Sequence, residues 1–208
     1  QARRLVARSR LEGIILQTIR AAAVPDCLIR VYLSRGPGGF STNPYECPES
    51  QLYVMVTTLS VPPQEKYSDG VRLVTSLVPM KRDYFANIKS CNYLPNVLMT
   101  KEARDKGVEF TVSLDEKGFL GEGATENVGI ITREHEFLVP RFDRILKGVT
   151  VSRMLELAGQ LAAKGGLNDA READISREDA YRAHEMMGFG TTFDILPVVT
   201  VEDRPIGN

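Results

Sequence analysis

The chain has 208 residues, 43% hydrophobic and 25% charged, enough to bury one large core or two modest ones and unlike a disordered polymer. Lys plus Arg number 26 against 27 Asp plus Glu, a formal net charge of -1 with neither basic stripe nor acidic tail, so no nucleic-acid partner is expected. No run of about 18 apolar residues suggests a membrane span, and the opening QARRLVARSR lacks the apolar centre of a signal peptide. Cys27, Cys47 and Cys91 lie far apart without a paired motif, and His135 and His184 lack ligand-like neighbours, so the expectation is a cytoplasmic protein with reduced thiols and no metal.

Leu11, Ile15, Ile19 and Ala22 recur on one face and predict a helix over residues 11–23, stopped by Pro25. CLIRVYLSRG and SQLYVMVTTLSV then read as two strands around the Gly/Pro-dense loop GPGGFSTNPYECP, forming with the helix a small α+β layer. VPPQEKYSDG breaks the pattern, and VRLVTSLVPMK begins a further strand. The predicted boundary falls between residues 78 and 87, dividing the chain into 1–80 and 81–208, with Pro62 and Pro63 as the competing place. ANIKSCNYLPNVL, residues 86–98, alternates as a strand and then turns at Pro95.

NVLMTKEARDKG predicts a helix closed by Gly107, where a left-handed residue is needed. VEFTVSLDEKGFLGEG and NVGIITREHEFLVP read as strands joined by polar turns. TVSRMLELAGQLAAKGG is a helix with Val151, Met154, Leu155, Ala158 and Leu161 on its buried face. SREDAYRAHE is another, opening on Ser176 and Asp179 in capping-box order, and TTFDILPVVTVEDRPIG returns to strand. The mixture is that of an α+β protein.

Four stretches could carry chemistry. Lys89 is either an exposed lysine on an edge strand or one held in a pocket, where a desolvated amine attacks a carbonyl. In LGEGATENVGI, Glu122 is either a turn carboxylate or the acid that a cofactor with a pyridine nitrogen needs opposite its ring. In RILKGVTVSRMLELAG, Gly148, Val149 and Thr150 lead into a helix, as a plain cap or as a phosphate cradle at the positive end of its dipole. In GFGTTFDILPV, Gly190, Thr191 and Thr192 offer hydroxyls and close backbone approach.

In this order and spacing, IKSxNYLxNVL, GEGxxxNV, ILKGVT and GTTxxILPV resemble blocks of the fold-type IV pyridoxal-phosphate enzymes. That family includes branched-chain and D-amino acid aminotransferases and aminodeoxychorismate lyases. The resemblance runs from about residue 28 to the end and implies a two-domain D-amino acid aminotransferase-like fold, a small α/β domain plus a larger pseudo-barrel domain. It implies pyridoxal 5'-phosphate as cofactor, with Lys89 as the lysine that forms an imine with it and shuttles a proton. Tyr93 matches a tyrosine bonded to the ring's phenolic oxygen, and Glu122 the acid paired with the pyridine nitrogen. Gly148, Val149 and Thr150 match the phosphate binders at a helix start, Thr191 a third phosphate contact, and Thr192 the place where the substrate carboxylate is received.

At the opening, QARRLVARS is similar to the remainder of a His-x-x-Arg-Leu segment, with Arg4 as a phosphate arginine or as a surface helix arginine, and residues of the family are expected to be missing at both ends. Arg30 matches an arginine that meets the side-chain carboxylate of glutamate in some branched-chain enzymes; it also reads as a strand arginine with its head in solvent. GPGGFSTNP lacks the Arg-x-His carboxylate trap of the D-specific branch, and Asp194 and Leu196 replace a glutamate and a threonine often found in the last block. The expectation is a homodimeric aminotransferase acting on an amino acid (branched-chain or apolar, glutamate, or a D-amino acid) and a 2-oxo acid. The alternatives are an elimination of the aminodeoxychorismate lyase type and a cofactor-binding scaffold without turnover.

Overall fold

Residues 7–81 and 83–207 are described by the computed structural model. The chain divides into two compact units, residues 1–61 and 62–208, so the division falls between Val61 and Pro62, at the competing place, and not near residue 80. The reason is a strand, Val71–Thr75, which the smaller unit was expected to hold and which instead lies inside the sheet of the larger one.

The smaller unit holds helix α1 (Arg8–Ala22) and the antiparallel strands β1 (Cys27–Ser34) and β2 (Gln51–Thr58), with α1 against β2. The helix ends on Ala23 in the left-handed region, φ 53°, two residues before the expected stop at Pro25. Between the strands Gly36 has φ 84°, and a Cβ there would meet the Glu49 carbonyl oxygen at 1.8 Å, so only glycine fits.

The larger unit runs through α2 (Glu65–Ser68), β3 (Val71–Thr75), α3 (Leu94–Asp105), β4 (Phe110–Leu114), β5 (Leu120–Gly123), β6 (Asn127–Ile131) and β7 (Glu136–Pro140). It continues with α4 (Val149–Ala162), β8 (Asp169–Ala173), α5 (Arg177–Arg182), β9 (Glu185–Gly190), β10 (Asp194–Val201) and β11 (Arg204–Pro205). The strands order as β5-β4-β3-β10-β9-β6-β7-β8, with β11 on β10; β3 is parallel to both its neighbours and β7 is parallel to β8. The sheet curls back on itself. Beyond the β8 edge, the Ile175 carbonyl accepts from Leu120 N–H at 2.7 Å, and Ser176 bridges Phe119 beside β5, so the two edges nearly close. This is the α+β, barrel-like body the resemblance implies.

Leu73, Val112, Val128, Ile130, Met186 and Val201 fill the inside of the curl, each at most 2% exposed. Burial on that scale stabilises by roughly 1.5–3 kcal/mol per large side chain, which fixes the walls on which the site stands. A second cluster sets Val151 and Ala158 of α4 against Phe137, Val139 and Phe189. Leu161, expected on the same face, is 48% exposed, because the last turn of α4 runs past the sheet contact. Gly107 takes φ 63° just past α3, and α5 opens on the full Ser176–Asp179 capping box.

One expected strand is absent: residues 86–93 have no regular structure, and α3 begins at Leu94 with Pro95 in its first turn. Proline terminates a helix but starts one freely, since the first-turn N–H has no intrahelical acceptor. Lys89 therefore rides on an irregular connection leading into a helix.

Candidate functional site

A cavity of about 220 Å³ opens in the larger unit where four segments meet. The connection before α3 brings Lys89 and Tyr93, and β5 brings Glu122. The loop and first turn of α4 bring Gly148, Val149 and Thr150, and the turn after β9 brings Thr191. Seven residues singled out by sequence thus share one wall. Thr192 is next in chain but is not on that wall, Arg30 is an exposed residue of β1 in the smaller unit, and Arg4 lies outside the described residues.

Lys89 is exposed, and among the described residues no hydrogen bond or ion pair holds its ammonium, so it is accessible but not desolvated as a pocketed lysine would be. Tyr93, 39% exposed, caps α3. Burial pushes the Glu122 carboxyl up to about 7. The Leu146 N–H, which donates to Glu122 Oε2 at 3.1 Å, and the charges of Lys81 and Lys89 pull the other way; Glu126 adds to the rise.

Helix α4, whose first residues line the same cavity, starts bare. No side chain caps it, and its first intrahelical bond runs from Ser152 N–H to the Gly148 carbonyl at 3.1 Å, leaving the preceding N–H groups of Val149, Thr150 and Val151 for an anion. A Cβ on Gly148 would stand 2.0 Å from Asn127 Oδ1, so glycine lets the chain pass close; Asn127 Nδ2 donates to the Leu146 carbonyl at 3.0 Å and ties this loop to β6.

Sequence reasoning passed over Lys81, Asn96, Glu126 and Asn127, all on the same wall. Glu126 is 5% exposed, and burial raises its carboxyl although Thr125 donates both its N–H, at 2.8 Å, and its hydroxyl, at 3.1 Å. A Cβ on Gly123 would meet Glu126 Oε1 at 2.1 Å, so the glycine between the acids makes room for the second. The Asn in GEGxxxNV was a usable signal for Asn127; an acid adjoining it in a strand-forming run was the signal for Glu126.

The donor set fits pyridoxal 5'-phosphate: an accessible amine, an uncapped helix N-terminus for a phosphate, and a buried carboxyl under the charge of two lysines line one cavity.

The family model described as "Amino-transferase class IV" matches residues 2–201. A chloroplastic D-amino-acid transaminase of Arabidopsis thaliana is 38% identical over 203 residues, which is 96% of this chain and 53% of that protein. The branched-chain amino acid aminotransferase structure from Escherichia coli superposes with a TM-score of 0.81 at 25% identity, covering 96% of this chain and 64% of the other. The branched-chain amino acid aminotransferase of Thermoproteus uzoniensis, solved with norvaline, has a TM-score of 0.79 at 23% identity, covering 95% and 65%, a likeness of fold. The chain spans about half the length of the first of these relatives and less than two thirds of the solved chains.

Proposed function

We propose, for a chain that belongs to the amino-transferase class IV family, that it transfers an amino group between an amino acid and a 2-oxo acid with pyridoxal 5'-phosphate held in the cavity of its larger unit. The observation that carries this reading is the convergence of Lys89, Tyr93, Glu122, Gly148, Val149, Thr150 and Thr191 on one wall. Pyridoxal phosphate, when bound, supplies an electron sink that weakens bonds at the substrate Cα.

The chain's residues do the rest. The Lys89 amine would hold the cofactor covalently and, when free, would take and return a proton at its Nζ. The Tyr93 hydroxyl donates to the ring's phenolic oxygen, and Glu122 meets the ring nitrogen. The first-turn N–H groups of α4 and the hydroxyls of Thr150 and Thr191 take the phosphate. Arg4 as a further phosphate ligand, and Thr192 and Arg30 at substrate carboxylates, belong to the same proposal.

Mixing the loaded protein with one amino acid and no acceptor should convert the bound cofactor stoichiometrically to its amine form, followed by absorbance. L-Glutamate, L-leucine and D-alanine head the panel, the last because the 38% relative is named a D-amino-acid transaminase. If no L- or D-amino acid converts it while aminodeoxychorismate releases pyruvate, the lyase reading replaces this one.

A homodimer is part of the proposal. Tyr84 and Phe85 are 75% and 70% exposed, and α3 turns Leu94, Val97 and Leu98 outward at 64%, 58% and 44%, more apolar surface than one short stretch normally leaves in water. Light scattering of the loaded protein should give twice the chain mass; a fully active monomer would contradict it. No described helix is long and apolar enough to cross a membrane, and a cytoplasmic setting is part of the same reading.

A further inference from the structure

Besides Lys89 the cavity is lined by Lys81 and Lys147, and the proposed chemistry uses neither. Lys81 Nζ donates to Asn96 Oδ1 at 3.2 Å and lies 5.9 Å from the centre of the Tyr93 ring, on the wall shared with Glu122. Asn96 cannot turn away, because its Nδ2 donates to the Ala124 carbonyl just past β5. An amide with its nitrogen committed must aim its oxygen at Lys81. Three segments thus hold this ammonium: the stretch before α3, α3 itself, and the β5–β6 turn. Lys89 is the opposite case, exposed and unheld.

We propose that Lys81 is a positioning residue of this site: its ammonium, fixed by Asn96, is a counter-charge of the Glu122 carboxylate. The inference deepens the proposed function and rests on it for its catalytic meaning. In the proposed chemistry the nitrogen of Lys89 changes its bonding, whereas that of Lys81 does not. The groups that act most on Glu122 are Lys81 and Lys89 from the stretch before α3, Glu126 from the β5–β6 turn, and the Leu146 N–H from the loop before α4; Lys147, in the same loop, also lines the cavity, with its Nζ 5.2 Å from the centre of the Phe142 ring. Lys81 is the first of the charges that oppose burial and Glu126 at this acid. An acid that stays ionised accepts a hydrogen bond from a protonated ring nitrogen; a neutral one leaves that proton unmatched.

The measurement is a pH titration of 13C-glutamate carboxyl resonances in the cofactor-free full chain, with Glu122 assigned by its loss in E122Q. Wild type should titrate near 7 at this position. Lys81→Met should move the midpoint upward by at least about half a pH unit, and Lys81→Arg should hold it near wild type. Should K81M fail to fold, K81Q removes the same charge with a polar end. An unmoved midpoint in K81M or K81Q overturns the proposal, as does an equal displacement in K81R, which would mark a packing effect. Borohydride labelling with pyridoxal phosphate separates the two readings. A wild type that takes no label on Lys89 defeats the proposed function while the titration still judges Lys81; a labelled wild type with an unmoved K81M defeats Lys81 alone.

Discussion

Replacing Lys89 with alanine is expected to reduce amino transfer by at least about a thousandfold while leaving the fold as stable as before, within about 0.5 kcal/mol. The two halves come from the same observation. A lysine with an exposed side chain and no ion pair or hydrogen bond among the described residues adds little to folding, so its removal leaves no buried charge and no cavity. It nevertheless lines the cavity that Glu122 and the α4 N-terminus also line, carried by the connection before α3. Borohydride reduction followed by peptide mass mapping should place the cofactor on Lys89 in wild type and on no lysine in Lys89→Ala. Label on Lys81 in wild type, or a variant with full turnover, would refute the assignment. Loss of stability in parallel with activity would show that Lys89 is structural after all.

The site was legible in the sequence to the extent that its residues are local. Gly148-Val149-Thr150 could be placed at a helix start from the sequence alone, because a helix start is a local feature, whichever of its two readings applies. Lys89 was singled out on its neighbours in sequence, and the local structure there differs from the expected one: ANIKSCNYL alternates like a strand, but Pro95 starts α3 and no partner strand is offered to it. Strand β8, written DAREA, carries almost no apolar signal, since it lies at the end of the sheet order, paired with β7 alone. The domain division was misplaced for a related reason. Proline pairs look alike at a boundary and in a loop, and β3 is committed to the larger unit only by its pairing with β4 and β10, strands about 35 and 125 residues further on. Lys81 and Asn96 stayed hidden because their meaning is a distance, 3.2 Å across 15 residues of chain, and a lysine 8 positions ahead of another has no periodic signature. Ionisation of Glu122 is likewise a property of enclosure, invisible until the walls are built.

That enclosure makes opposite predictions for stability and for catalysis. In the cofactor-free protein Glu122 holds its proton up to about 7, against an ordinary value of 4.5, chiefly because burial disfavours the anion. A carboxyl raised in the folded state binds its proton more tightly there than in the unfolded chain. Its stabilising contribution is therefore complete below pH 4.5 and is lost progressively as pH rises to about 7, a loss on the order of 3 kcal/mol before screening at its partly exposed surface is discounted. Glu122→Gln keeps the shape and cannot ionise, so this loss should vanish. Cofactor-free variant and wild type should unfold alike at pH 4.5, and the variant should be the more stable of the two at pH 7.5, by chemical denaturation. Glu126, itself buried and raised, is present in both proteins and does not separate them. Binding of a cationic ring should reverse the order: a protonated ring nitrogen stabilises the wild-type carboxylate and releases its proton, so wild type should bind pyridoxal phosphate more tightly as pH rises from about 5.5 to 7.5, while the variant shows a flatter dependence. The variant should retain most of its cofactor at neutral pH through Lys89 and the α4 N-terminus, yet lose several kcal/mol of barrier reduction, about tenfold in rate for each 1.4 kcal/mol. A variant with unchanged single-turnover kinetics removes Glu122 from the chemistry; identical pH dependence of unfolding in the two proteins removes the raised carboxyl itself.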